Sequence, residues 1–280
     1  MNGRWELSPD PPGAFTTIAH VWQHRWLLGF IGSRALRKTY RRTVLGWLWL
    51  FINPLFPLAV RTLIFGALLG VGSHGIPYFL FLLAGTLAWD ALATSLNWGT
   101  RSLEMNRNLT DQIYLPRAIL PLGNVVPALL DQAIKGTVFV AALGYYALRD
   151  GRIYVRTDAG FVWAGGAMVL VLAFAMGLSF FTAVWGETGR DARYALGQVL
   201  MIWQLLTPVL YPLSAVPAEY RGWIRLNPMA TLVETFKWGL FGIGEMRPIE
   251  FAATATAVLA LLLAGLFYFA RTEARAVDLR

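Results

Sequence analysis

The sequence predicts an all-α membrane protein with six transmembrane helices. Three observations carry that prediction. Charged residues make up 14% of the 280 residues and apolar ones 56%, with a mean hydropathy of +0.51; a soluble domain averages roughly 25% charged. Six stretches reach or approach the roughly 20 apolar residues that a helix needs to cross a hydrocarbon core of about 30 Å. Lysine and arginine are distributed unevenly between the segments that join them. The same composition excludes disorder, coiled coil and collagen. Cysteine is absent, which removes a disulfide framework, a thiolate metal site and a cysteine nucleophile.

The six stretches are about 47–71, 78–98, 120–148, 161–185, 194–211 and 251–270. The fifth is short and runs into a proline-rich segment. With the N-terminus in the cytoplasm, the inner segments carry 15 Lys and Arg and the outer ones 7, with Arg61 and Lys135 inside spans. That bias fits an N-in, C-in chain with an even number of spans. The organisation is then a cytoplasmic arm (1–46), a six-span domain (47–270) and a cytoplasmic tail (271–280). The first 46 residues lack a continuous apolar run, so no cleavable signal peptide is visible.

Within the arm, Phe15, Ile18, Ala19, Trp22, Trp26 and Phe30 recur at helical spacing, with polar residues on the other side. This predicts an amphipathic helix lying in the membrane interface. Arg34, Arg37, Lys38, Arg41 and Arg42 follow within nine residues. Cations there face anionic headgroups, each contributing about 1 kcal/mol near the surface. Two readings stand: a topology signal only, or also a grip on a phosphate-bearing lipid substrate. Leu45-Gly46 then permits a bend into the first span, where Pro54 of Asn53-Pro54 removes a backbone donor.

Residues 100–113 place Leu103, Leu109 and Ile113 on a partial apolar face among Glu104, Asn106, Arg107 and Asp111. A short amphipathic helix there suits docking into a partner's groove or an ordinary surface position. Arg61, Asp90, Asp131 and Lys135 fall inside predicted spans, each costing about 2.5–3.5 kcal/mol at a helix centre unless partnered. Asp131 and Lys135, four apart, suit a pair on one helix face; Arg61 and Asp90 suit a pair across the first two spans. An ion relay is the alternative use of these charges. Residues 207–230 hold Pro208, Pro212, Pro217 and Pro228 yet stay apolar and aromatic. They read as two short helices that dip into the outer leaflet and return, or as an interfacial loop.

The chain holds no G-x-x-x-x-G-K-[ST], no H-E-x-x-H and no G-x-S-x-G. No metal site is expected. If the protein moves cargo by nucleotide hydrolysis, another chain supplies the ATPase.

Three motifs in order now point to a family. The run Arg37-Lys38-Thr39-Tyr40-Arg41-Arg42-Thr43-Val44-Leu45-Gly46-Trp47-Leu48-Trp49, with Asn53-Pro54 after it, resembles the opening of ABC-2 type polysaccharide and polyol-phosphate exporter permeases. Asn108-Leu109 through Tyr114-Leu115-Pro116-Arg117 to Pro121 is similar to a second family motif. Pro208-Val209-Leu210-Tyr211-Pro212 through Val216-Pro217 to Leu226-Asn227-Pro228-Met229 is similar to a third. The resemblance covers about residues 15–270. It implies a homodimer in the bacterial inner membrane, joined by two copies of a cytoplasmic ATPase that hold ATP and Mg. It implies export of an undecaprenyl-diphosphate-linked glycan such as O-antigen, or of teichoic acid or capsule. No cofactor is expected on this chain, and no nucleic acid.

Carried onto these residues, 100–113 becomes the coupling helix, through Leu103, Glu104, Asn106, Arg107 and Leu109. The 186–193 loop becomes a lesser ATPase contact. Arg34, Arg37, Lys38, Arg41, Arg42, Leu45 and Gly46 form the inner gate. Tyr211, Pro212, Pro217, Trp223, Asn227 and Pro228 form the outer gate. Sugars stack on aromatic rings, and position on the first two spans puts Trp47, Trp49, Phe56, Trp89 and Trp98 near the path. The competing classes are a lipid or drug permease of the same family and a polyprenyl-phosphate glycosyltransferase, for which Asp111, Asp150 or Asp158 would be the acids.

Overall fold

A computed structural model describes residue 23 and residues 26–40, 45–110, 117–123 and 125–278. Among them there are only helices and connections, with no strand. The first helix, α1 (Trp26–Tyr40), docks through Ile31 and Ala35 and leaves Trp26 and Phe30 exposed. The apolar positions expected at 15–22 lie outside the described residues. Arg34, Arg37 and Lys38 sit on this helix rather than after it. A 3-10 turn (Gly46–Leu48) follows, with Gly46 at φ 50°, a left-handed backbone that glycine adopts without strain.

The first span is α2 (Trp49–Arg61), which continues as a π-helix over Thr62–Leu68. Pro54 and Pro57 each remove a donor from its ladder. Next comes α3 (Tyr78–Thr100), buried along most of its length. Two single turns follow, α4 (Ser102–Met105) and α5 (Arg107–Thr110), and then α6 (Ile119–Gly123). The long helices α7 (Val126–Asp150) and α8 (Gly160–Thr188) complete a down-and-up pair. After them come α9 (Arg190–Leu205), α10 (Ala218–Arg225), α11 (Pro228–Phe241) and α12 (Pro248–Asp278).

The alternation of these helices defines two ends. The near end carries 101–110, 117–123, the α8–α9 junction and the end of α12. The far end carries 69–77, 151–159, 206–227 and 242–247. Around the central pair α3 and α8, α7 flanks α3 while α11 and α12 flank α8. Leu83, Leu87 and Leu92 of α3 meet Val171 and Phe174 of α8 and Leu232 and Phe236 of α11. A second cluster at the near end joins Ile31, Leu103, Ile119, Phe180 and Phe269.

Among the described residues five stretches are long and apolar enough to cross a membrane: Phe51–Leu68, Tyr78–Thr100, Ile119–Asp150, Gly160–Glu187 and Pro248–Thr272. The expected fifth stretch, 194–211, becomes a helix of 16 residues, about 24 Å long at 1.5 Å per residue, shorter than an oil slab of about 30 Å. It ends at Leu205 because the chain turns there ahead of Pro208 and Pro212. The segment 100–113 is not one helix: Asn106 breaks it, its Nδ2 donating to Ser102 O at 2.9 Å while its own carbonyl starts the next turn. The tail at 271–278 is no separate element, since α12 runs through it. The pair of helices expected over 212–230 is α10 and α11, but α11 extends to Phe241 and is buried almost throughout.

One of the close crossings is α8 on α12. A Cβ at Gly265 would stand 2.5 Å from Gly177 O, a distance no real contact tolerates. Replacement Gly265→Leu should therefore separate the two helices. Overpacking costs about 1–3 kcal/mol, so fluorescence-detected size exclusion after heating should show an apparent midpoint several degrees lower; an unchanged midpoint would mean the two helices can part freely.

Candidate functional site

Three helices give one polar stripe each to a common cavity of about 350 Å³. From α2 come Asn53, Pro57 and Arg61; from α3 Thr86, Asp90, Thr94 and Trp98; from α7 Asp131 and Lys135. Residues four apart share a helix face, so each stripe is continuous. At membrane depth such groups need partners or water.

Lys135 is the centre of that arrangement. Its Nζ donates to Asp90 Oδ2 at 2.5 Å across the α3–α7 contact and to Asp131 Oδ2 at 2.7 Å on its own helix. The lysine side chain is 6% exposed, whereas the two carboxylates are 23% and 20% exposed and open on the cavity. Nearby, the Gln132 amide, oriented to satisfy both neighbours, donates to Leu87 O and accepts from Ala91 N, so α7 also grips the backbone of α3. Arg61 does not pair with Asp90, as the spacing suggested. Lys135 has taken that carboxylate, and Arg61 instead donates to Gln204 Oε1 of α9 at 3.3 Å. Among the described residues Arg61 makes no ion pair. The cavity thus has acids on one wall, a guanidinium on another and the Trp98 ring at its edge. That combination accepts hydroxyl protons, donates to oxygen and offers a flat apolar face.

The five aromatic residues assigned to a path separate. Trp98 lines the cavity. Trp89 is packed in the core, edge-on to Trp203 with ring centroids 5.8 Å apart. Phe56 lies on the outer surface of α2, 67% exposed. Trp49 is half-buried, and the Trp47 side chain lies outside what is described. Thr86, Thr94, Gln132 and Gln204 went unnoticed in the sequence, although the four-residue spacing of Thr86, Asp90, Thr94 and Trp98 was readable there.

At the far end the chain breaks between α9 and α10, and side chains answer the freed carbonyls. Lys237 of α11, 1% exposed, sends Nζ to Pro208 O at 2.6 Å and sits 3.7 Å from the centroid of the Phe81 ring. Tyr78 Oη donates to Leu210 O at 2.7 Å and Tyr211 Oη to Leu205 O at 2.9 Å. Asn227 caps α11, its Oδ1 accepting from Met229 N and from Trp203 Nε1, while its Nδ2 donates to Thr207 Oγ1. Pro228 supplies the first helical residue, where a missing donor costs nothing. Pro212 is buried, whereas Pro217 and Trp223 are exposed. Arg221 closes the turn by donating to Val216 O and Ser214 O. In the loop beyond α11, Arg247 and Arg225 hold the Glu245 carboxyl below the usual carboxylate range.

At the near end Leu103 and Asn106 are buried, Leu109 is half-buried, and Glu104 and Arg107 are exposed. Glu104 forms an ion pair with Arg193 at the start of α9. Arg34 is half-buried, and Arg37 and Leu45 are exposed. The Lys38 side chain and all of Arg41 and Arg42 lie outside what is described. Among the described residues no group of three metal-ligating side chains occurs.

Replacement Lys135→Met leaves two carboxylates facing each other without their cation. Breaking a buried pair costs about 3–5 kcal/mol. The variant should lose most folded protein after detergent extraction, and Asp90→Asn with Asp131→Asn added should restore it. If the single variant extracts like the parent, the lysine does not hold α3 to α7.

The profile of the ABC-2 type transporter family matches residues 27–241. The O-antigen export system permease protein RfbA of Myxococcus xanthus is 28% identical over 261 residues, covering 91% of this chain and 96% of that one. RfbA of Klebsiella pneumoniae is 26% identical over 75% of this chain and 78% of its own. The polysialic acid transport protein KpsM of Escherichia coli is 23% identical over 86% and 92%. The matched region begins in α1, takes in every wall of the cavity and ends with the last residue of α11, and on that match the chain belongs to the ABC-2 type transporter family.

Proposed function

We propose that this chain is the membrane-spanning half-channel of an exporter that moves a lipid-linked polysaccharide, such as undecaprenyl-diphosphate-linked O-antigen, across the bacterial cytoplasmic membrane. The observation that carries the reading is similarity along nearly the full length of both chains to a permease named for O-antigen export. Two copies form the conduit, and two copies of a separate ATPase, which binds ATP and Mg, drive it. In this reading α9 is the fifth of six spans, α10 and α11 are re-entrant at the outer face, and both termini are cytoplasmic. The near end then faces the cytoplasm, where α4 and α5 dock on the ATPase and the arm meets the lipid diphosphate. A capsular glycan is the second reading, favoured by the KpsM likeness.

The chemistry of the cavity supports passage of a hydroxyl-rich chain: carboxylates and a guanidinium offer exchangeable hydrogen bonds. Deleting the gene should remove the long glycan from the cell surface and leave it on its lipid inside, as read by gel and by lipid extraction. Unchanged surface glycan would remove the function. Within the arm, Arg41→Ala with Arg42→Ala should cut export about tenfold or more, since a hydrogen bond to a charged group is worth about 1.5–3 kcal/mol. Insertion, checked by cysteine accessibility, should stay as in the parent. Normal export in that variant would reduce the arginines to a topology signal.

A further inference from the structure

The helix α9 is attached to the rest of the protein along one narrow seam. Arg193, Leu196, Leu200, Trp203 and Thr207 recur at three- and four-residue steps and turn inward, while Tyr194, Val199, Ile202, Leu205 and Leu206 stay exposed. The seam is apolar in its middle and polar at its ends. At the near end Arg193, with its side chain 14% exposed, pairs with Glu104 of α4. At the far end Trp203 Nε1 holds Asn227 Oδ1 at 2.9 Å, and Thr207 Oγ1 accepts from Asn227 Nδ2 at 2.9 Å. Between them Leu200 is buried, Trp203 meets Trp89 and Phe174 edge-on, and Gln204 receives Arg61 from the cavity wall. At the near end Gly189 places one extended residue between α8 and α9, so α9 does not continue the axis of α8.

We infer that Arg193 is a positioning residue for transport: it ties α9 to the 102–110 segment, so that a displacement of that segment is delivered through α9 to the cavity wall and to the outer break. The reasoning is mechanical. A helix is stiff along its axis, and its thin apolar seam resists sliding little, so polar ties at the two ends set where it sits. Glu104 is also the only acidic side chain in the 102–110 segment, so the cation of Arg193 meets one specified partner there. The inference rests on the export reading, because only there does the 102–110 segment receive a push from a motor.

The test uses the permease assembled with its ATPase in nanodiscs, and the same variants in cells. Arg193→Glu and Glu104→Arg should each raise the ATP hydrolysed per glycan delivered by about fivefold or more, the range of an ordinary coupling between sites. The two together, which restore the pair with charges exchanged, should return the ratio to near the parent value. A helix merely destabilised at its tip would instead lower the assembled amount and the thermal midpoint, with no rescue of the ratio by the exchange. Parent-like ratios in both single variants, or failure of the exchange to rescue, overturn the inference. If the gene deletion leaves surface glycan intact, the export reading falls. If the deletion abolishes export while the single variants work normally, only the tie through Arg193 falls.

Discussion

One ammonium between two carboxylates governs the interior. Lys135 cannot sit unpaired at membrane depth, and Asp90 and Asp131 cannot sit there as a bare pair of like charges. The cheapest arrangement is the shared one, in which both acids donate their negative charge to one cation at hydrogen-bond distance. That arrangement fixes the register of α3 against α7. It also fixes which side of each helix is polar, and therefore where the cavity opens. Because Lys135 satisfies both acids, the second cation, Arg61, is released from ion pairing among the described residues. It reaches across to Gln204, so α2 and α9 meet at the cavity through a neutral contact that costs little to break and remake.

The same rule explains the places where the helices are irregular. Backbone that leaves the helical ladder at membrane depth must be answered by protein. Between α9 and α10 the answers come from α3 and α11: Tyr78 and Lys237 donate to freed carbonyls, and Asn227, the cap of α11, holds the Thr207 side chain. In the first span, Pro54 and Pro57 precede a π-helix whose wider turn lets Leu69 N reach Ile64 O. A π-segment is less stable than an α-helix and tends to mark functional places. Here it sits just beyond Arg61, on the candidate span with the smallest buried share: only 11% of Phe51–Leu68 is buried.

Legibility in the sequence followed from what each signal measures. Hydropathy runs report residues surrounded by oil or apolar protein, and they located the long helices to within a few residues. Spacing along one helix reports a face, so the Asp131–Lys135 pair was visible. Neither signal reports which helices touch, so the choice of Lys135 over Arg61 as the partner of Asp90 was not. Glu234 and Lys237 masked α11: two charges one turn apart made 228–241 read as an outer segment, although α11 buries both. Asn106 hid the break in 100–113, because a helix pattern does not show that a short amide will turn back onto Ser102 O. The third motif, by contrast, marks a place that the fold ties together, with its Asn227 bonded to the adjoining Thr207 and its Pro208 to Lys237 of α11.

In the export reading, where a separate chain supplies the motor, the protein divides into a frame and moving parts. The frame is α3, α8 and α12, which approach so closely that a Cβ at Gly265 has no space and Thr100 Oγ1 bonds directly to Thr182 Oγ1 at 2.7 Å. Dense packing of that kind transmits force and does not yield. The parts with less holding them are α2, where Pro54 and Leu58 are the only buried ones among the described side chains, and α9, seated on one seam. These two are also the helices that meet through Arg61 and Gln204 at the cavity. In the export reading, work delivered at the near end is not absorbed by the frame. It reaches α2, a wall of the polar cavity, and α9, which touches that wall through Gln204 and Arg61.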